Sequence, residues 1–294
     1  LDIRGVIPPM FTPFKENGDI DCDAHVRNLT RWNEEDLGGY LVLGSNGETP
    51  YLTEAEKLKL IELTVQHSAS GRTVLAGTGL ESTRETILFT NLAADLGVHA
   101  ALVLTPCFYG AQMKDAALIK HFSSVADASR IPVLLYNVPA YTDLVISAKA
   151  VQELSGHANI IGMKDSSGDM PRFASLQEAL PDTFNLIVGS ASAWYPALSL
   201  GARAGILALA NFAGKQCTKV QQLFEAGSYE KARLLYLNLL PVNAAVTTIH
   251  GVAGLKHAAT LLGYDAGFVR APLLAPEEEA KVHIREVLAD AGLL

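Results

Sequence analysis

Three cysteines in 294 residues, Cys22, Cys107 and Cys217, are too few and too far apart for a disulfide framework or a structural zinc site. Basic clusters are equally scarce. With 23 Lys and Arg against 31 Asp and Glu, the formal charge is −8, and no basic run invites nucleic acid or an anionic membrane. Apolar runs such as Gly205–Ala210 fall far short of the roughly 20 residues a membrane helix needs. The eight histidines (His25, His67, His99, His121, His157, His250, His257, His283) contain no HxH or HExxH pair, so no metal site is expected. The pair His250 and His257 reads as a surface feature. Gly77-Thr78-Gly79 lacks the third glycine of a dinucleotide loop. What remains is expected to be a cytoplasmic globular protein, or an organellar one if a leader precedes Leu1.

What is present is a rhythm. Short apolar segments recur at Gly5–Pro8, Tyr40–Leu43, Thr73–Ala76, Ala100–Leu104, Val133–Tyr136, Ile160–Met163, Leu186–Val188 and Gly205–Leu209. Several are apolar at consecutive positions, as parallel strands buried on both faces are. Helical stretches separate them. One opens at Thr53 with Glu56 three residues on, a capping box. Eight such units predict an α/β fold, a (β/α)8 TIM barrel over residues 1–225. A doubly wound sheet would place a Gly-rich loop after its first strand, where Ile7-Pro8-Pro9-Met10 stands. Residues 226–294 read as a C-terminal helical region, with helices near Tyr229–Val246, Gly254–Leu262 and Glu277–Ala291.

A barrel of this kind works at the C-terminal ends of its strands. Lys164 follows Ile160–Met163 directly, at an apolar mouth where desolvation disfavours an ammonium and favours an amine that attacks a carbonyl. Its other reading is a lysine that reaches solvent or pairs with Asp165 or Glu48. Tyr136 ends the neighbouring strand and offers a phenol for proton transfer, or only a core ring. Gly44-Ser45-Asn46-Gly47 is polar for a strand end; its glycines would turn the chain tightly and its amides would hold a carboxylate, unless it is an ordinary capped turn. Gly189-Ser190 ends the seventh strand, and only Lys215 lies near the loops that would bind a phosphate.

Five ordered segments, Gly44–Glu48, Thr105–Gly110, Tyr136–Thr142, Gly162–Asp169 and Gly189–Ser192, together resemble the dihydrodipicolinate synthase and N-acetylneuraminate lyase family of pyruvate-dependent class I aldolases. The likeness is closest to its 4-hydroxy-2-oxoglutarate aldolase branch, through Ser45-Asn46, the cysteine after Thr105-Pro106, and Pro241–Val246 leading into Gly254-Leu255-Lys256. The resemblance implies a barrel with a helical C-terminal region, a homotetramer built as a dimer of dimers, and a small-molecule oxo acid substrate. No cofactor is implied beyond a covalent imine on Lys164. Lys164 would be the Schiff-base lysine, Tyr136 and Ser45 the proton relay. Asn46 with Gly44 would hold the pyruvyl carboxylate, and Ser166, Gly189, Ser190 and Tyr141 the rest of the substrate. Two positions depart from the family. Tyr141 stands where the synthases carry an Arg, so the fork for a distal carboxylate is missing. Phe108 stands where the family has its intersubunit tyrosine, so either Tyr109 takes that role or the relay is shorter. Alternatives are an aldolase or dehydratase of 2-keto-3-deoxy sugar acids, the synthase activity itself, a non-catalytic binding barrel and a metal-dependent aldolase.

Overall fold

Side chains alternate across each strand, and that period of two sorts the apolar residues into two layers. The computed structural model describes residues 1–294. It contains β1 (Gly5–Ile7), β2 (Gly39–Val42), β3 (Thr73–Gly77), β4 (Ala100–Leu104), β5 (Val133–Asn137), β6 (Ile160–Asp165), β7 (Asn185–Val188) and β8 (Ala204–Ile206), all parallel. The Leu41 amide donates to the Pro8 carbonyl (3.1 Å) and the Gly38 amide to that of Val6 (2.8 Å), closing the sheet into a barrel. Ile7, Leu41, Leu75, Leu102, Leu134, Ile187 and Ile206 fill the interior. Val42, Val74, Val103, Leu135, Met163 and Val188 pack outward against the helices. Gly162 has room for no side chain. A Cβ there would meet the Asn185 carbonyl at 2.4 Å and the Leu134 side chain at 2.8 Å.

All eight expected strands are present, seven of them with ends shifted by one to three residues, and two of those shifts bear on the site. β6 runs on through Lys164 to Asp165, so the lysine belongs to the strand. β8 stops at Ile206, because the Ala210 and Asn211 amides bond back to the Leu207 and Ala208 carbonyls and start a helix.

Helices α1 (Cys22–Asn33), α2 (Glu54–His67), α3 (Thr83–Asp95), α4 (Asp115–Ala128), the short α5 (Pro139–Thr142), α6 (Ala148–Ser155), α7 (Met170–Ala179) and α8 (Trp194–Ser199) lie between the strands. Thr53 and Glu56 form the expected reciprocal capping box on α2. After β8 come α9 (Ala210–Glu225, kinked at Ala213), α10 (Tyr229–Ala244), α11 (Gly251–Leu261) and α12 (Glu278–Asp290). A π turn over Ala245–Ile249 joins α10 to α11 where the sequence pattern predicts a break. Pro241 has no N–H to give α10, and Gly251 takes the left-handed φ of 55° that starts α11. His250 is not the surface residue expected: half-buried, its Nε2 lies 2.9 Å from His283 Nδ1 on α12. No helix is long and apolar enough to cross a membrane.

Two other histidines are buried in the helical shell. His25 on α1 pairs with the Thr64 hydroxyl of α2, and His121 on α4 with that of Thr83. Burial pushes both imidazoles down to about 4. The unfolded chain therefore binds more protons than the native one between about pH 4 and an ordinary histidine value near 6.5. Stability should be fully present above that window and fall as pH drops through it. A melting temperature that declines from pH 6.5 to 4 in wild type, and less steeply in His25→Gln, is the expected result.

Candidate active site

The β5–β6 register sets Tyr136 beside Lys164, with Ile187 of β7 on the lysine's other flank. Lys164 is 3% exposed, and its Nζ sits 4.2 Å from the centre of the Tyr136 ring. Neither acid proposed as its partner reaches it. Asp165 binds Arg172 Nε (3.2 Å), Asn137 Nδ2 (2.9 Å) and the Ser167 amide (2.9 Å). Glu48 binds Lys256 Nζ at 2.6 Å. The ammonium or amine of Lys164 thus faces a phenol and not a carboxylate.

Tyr136 Oη lies 3.2 Å from Ser45 Oγ. Burial would raise this phenol, but the Lys164 charge and hydrogen bonds to Ser45, Lys164 and Ser166 outweigh it and hold the group below its usual range. A phenol so placed gives up its proton more readily than a free tyrosine. Ser166 belongs to the same cluster; its hydroxyl only grazes the Gly189 carbonyl at 3.4 Å. Gly189 is glycine for a steric reason, since a Cβ would stand 2.0 Å from Ser166 Oγ.

Over the cluster lies a 3-10 turn, Ser45–Gly47. The left-handed backbone at this turn falls on Leu43 (φ 59°) and Glu48 (φ 55°), which bracket it, and not on its glycines. Gly44 is extended and buried against Leu41 and Pro9. The Thr49 hydroxyl donates to the Gly44 carbonyl (2.9 Å) and that of Thr12 to Gly47 (2.8 Å), tying down the turn's acceptors. One donor stays free: Asn46 Nδ2 is buried without a partner. So is the hydroxyl of Thr105 at the end of β4. A pair of buried, unanswered polar groups at a strand-end mouth is what an anionic or carbonyl ligand would satisfy.

The outer residues are more loosely held. Ser190 pairs with Ser192 (2.7 Å) at the rim. Tyr141 on α5 is 64% exposed, and Tyr136 is the only ionisable group acting on its phenol. Phe108 and Tyr109 are 77% and 68% exposed, stacked edge to face on each other. Within this chain neither hydrogen-bonds to Tyr136. Lys164, Tyr136, Ser45 and Ser166 are therefore brought together, Asn46 and Gly189 adjoin them, and Tyr109 and Ser190 stand apart.

A buried lysine on β6, a phenol beside it on β5 and a polar turn after β2 match the pattern that resembles one barrel family, and the whole sequence agrees. The model of the dihydrodipicolinate synthetase family matches residues 2–291. The chain belongs to that family. It is accordingly a carbon–carbon lyase, a class I aldolase in the broad sense. Similar proteins include 4-hydroxy-tetrahydrodipicolinate synthase 2 of Halalkalibacterium halodurans, 33% identical over 285 residues and 97% of each chain. The corresponding synthase of Methanothrix thermoacetophila is 34% identical over 286 residues, covering 97% of this chain and 96% of its own. A chloride-inhibited dihydrodipicolinate synthase of Acinetobacter baumannii, solved with pyruvate, superposes with a TM-score of 0.94 at 29% identity over all of both chains. These relatives carry the synthase name, not that of the oxoglutarate aldolase branch.

The sequence pattern pointed to Lys164 and Tyr136 but not to the residues that keep acids away from them. Asn137, Arg172 and Lys256 do that, and only Asp165, adjacent to the lysine, carried a local hint. Gly189→Ala should displace Ser166 and cost about 1–3 kcal/mol of stability by overpacking. Urea unfolding of the variant beside wild type measures this, with turnover reporting the displaced hydroxyl.

Proposed function

We propose that this chain is a Schiff-base aldolase that cleaves or forms a 4-hydroxy-2-oxo acid, with 4-hydroxy-2-oxoglutarate giving pyruvate and glyoxylate as the leading reaction. The observation that carries the reading is Lys164: buried, free of any carboxylate, and set against a phenol of lowered pKa that touches Ser45. The Lys164 amine attacks the C2 ketone; the carbinolamine loses water to give an iminium. Tyr136, or a water it positions, removes the 4-hydroxyl proton. The C3–C4 electron pair then moves into the iminium, leaving an enamine and a free aldehyde. Protonation at C3 and hydrolysis return pyruvate and the lysine. Asn46 supports the reading as an unpaired amide donor for the carboxylate next to C2.

The distal end of the substrate rests on Ser166 and the rim. No cation acts on the Tyr141 phenol, which favours a second reading in which the released aldehyde is neutral and hydroxylated, from a 2-keto-3-deoxy sugar acid. Condensation with aspartate semialdehyde, the synthase activity, lacks its guanidinium at that position.

Pyruvate and glyoxylate release from 4-hydroxy-2-oxoglutarate, measured beside a panel of 2-keto-3-deoxy acids and aldehyde acceptors, tests this directly. Tyr136→Phe should lower kcat by about 10²–10⁴-fold, and Lys164→Ala should abolish turnover. Activity retained in Lys164→Ala would overturn the mechanism. Aspartate semialdehyde emerging as the best acceptor would overturn the use of Tyr141.

A further inference from the structure

Lys256 is among the most deeply buried large side chains of the protein, 2% exposed, and it lies on α11, outside the barrel strands. Its Nζ forms an ion pair with Glu48 Oε1 (2.6 Å), donates a hydrogen bond to the Phe268 carbonyl (2.5 Å) and lies over the Phe14 ring. The second Glu48 oxygen accepts the Arg270 amide at 2.8 Å. Both oxygens of Glu48 are thus engaged by residues that follow the barrel. Arg270 spends its guanidinium elsewhere, on Glu56 and on the Gly18 and Tyr51 carbonyls.

Glu48 is the residue that ends the Ser45–Gly47 turn, in a left-handed conformation no L side chain prefers. Such backbone persists where surrounding contacts over-determine it. Two threonine hydroxyls pin the turn's carbonyls and the Lys256–Glu48 pair pins its exit, holding the turn that carries the unpartnered Asn46 Nδ2. A buried ion pair adds little net stability over an apolar pair of the same volume, whereas removing one partner leaves the other's charge buried and uncompensated.

We propose that Lys256 is a positioning residue: through Glu48 it fixes the Ser45–Asn46 turn that receives the carboxylate of the 2-oxo acid. This rests on the Schiff-base reading above. The groups facing the Lys256 ammonium are Glu48, Arg270, the Phe14 ring and the Phe268 carbonyl, with Glu56 and Asp19 beyond Arg270. His257, next on α11, senses Lys281, Arg285 and Glu278 instead. Burial pushes Lys256 down to about 8, against the pull of Glu48 and with Arg270 adding to the fall. Above that pH the ammonium is lost and Glu48 stands without its counter-ion, so affinity for the oxo acid should weaken as pH rises through about 8.

The test is the pyruvate concentration that half-saturates borohydride trapping on Lys164, read by mass spectrometry. Lys256→Gln and Glu48→Gln should each raise it about tenfold, a 1.4 kcal/mol loss. Lys256→Arg, which keeps its charge, should stay near wild type at neutral pH and lose the weakening above pH 8. Variants that melt lower yet trap with wild-type half-saturation overturn the proposal, because a structural role moves only stability. If neither Gln variant folds, an alkaline limb in Lys256→Arg identical to that of wild type overturns it. A wild-type protein that forms no adduct at all would instead overturn the Schiff-base reading.

Discussion

The pairing register between β5 and β6 is the constraint on which the rest of the site depends. Tyr136 opposes Lys164 because both occupy inward positions of the two-residue repeat, above Leu134 and Gly162. A slip of one residue would turn Lys164 toward the helices and bring Met163 inside. Gly162 protects that register. It lets the Asn185 carbonyl and Leu134 close in beneath the lysine, where any side chain would force the strands apart.

Around that pair the protein solves a problem of charge. A chain of net −8 buries two acids, Glu48 after β2 and Asp165 next to Lys164 in sequence, and neither reaches the lysine. Each is given a cation of its own. Lys256 takes Glu48, and Arg172 with Asn137 takes Asp165, while Arg172 also donates to the Ile146 carbonyl in the loop that follows α5 and its Tyr141. Buried charges left unpaired are costly, so these partners are needed whatever the substrate. Lys164 is left facing Tyr136 with no carboxylate on it, and Asn46 Nδ2 and the Thr105 hydroxyl remain the unpartnered groups of the mouth.

How much of this could be read in the sequence follows from how local each signal is. The strands were legible because buried parallel strands are apolar on both faces, as in Ala101–Leu104 and Val133–Leu135. Lys164 and Tyr136 were legible because a polar residue ending such a run stands at the barrel mouth. The turn after β2 is legible from its glycines, but the left-handed backbone at Leu43 and Glu48 is not, because such conformations usually fall to glycine. Glu48 and Arg270 are 222 residues apart, and no local pattern foretells such a pairing. His250 was misplaced for the same reason, its partner being on another helix.

The proposed mechanism depends on which nitrogen becomes covalently bound. Borohydride reduction with pyruvate present, followed by peptide mapping, should place a single reduced adduct on the peptide containing Lys164, with the buried Lys256 unmodified. An adduct on Lys256, or none on Lys164 at saturating pyruvate, would contradict it.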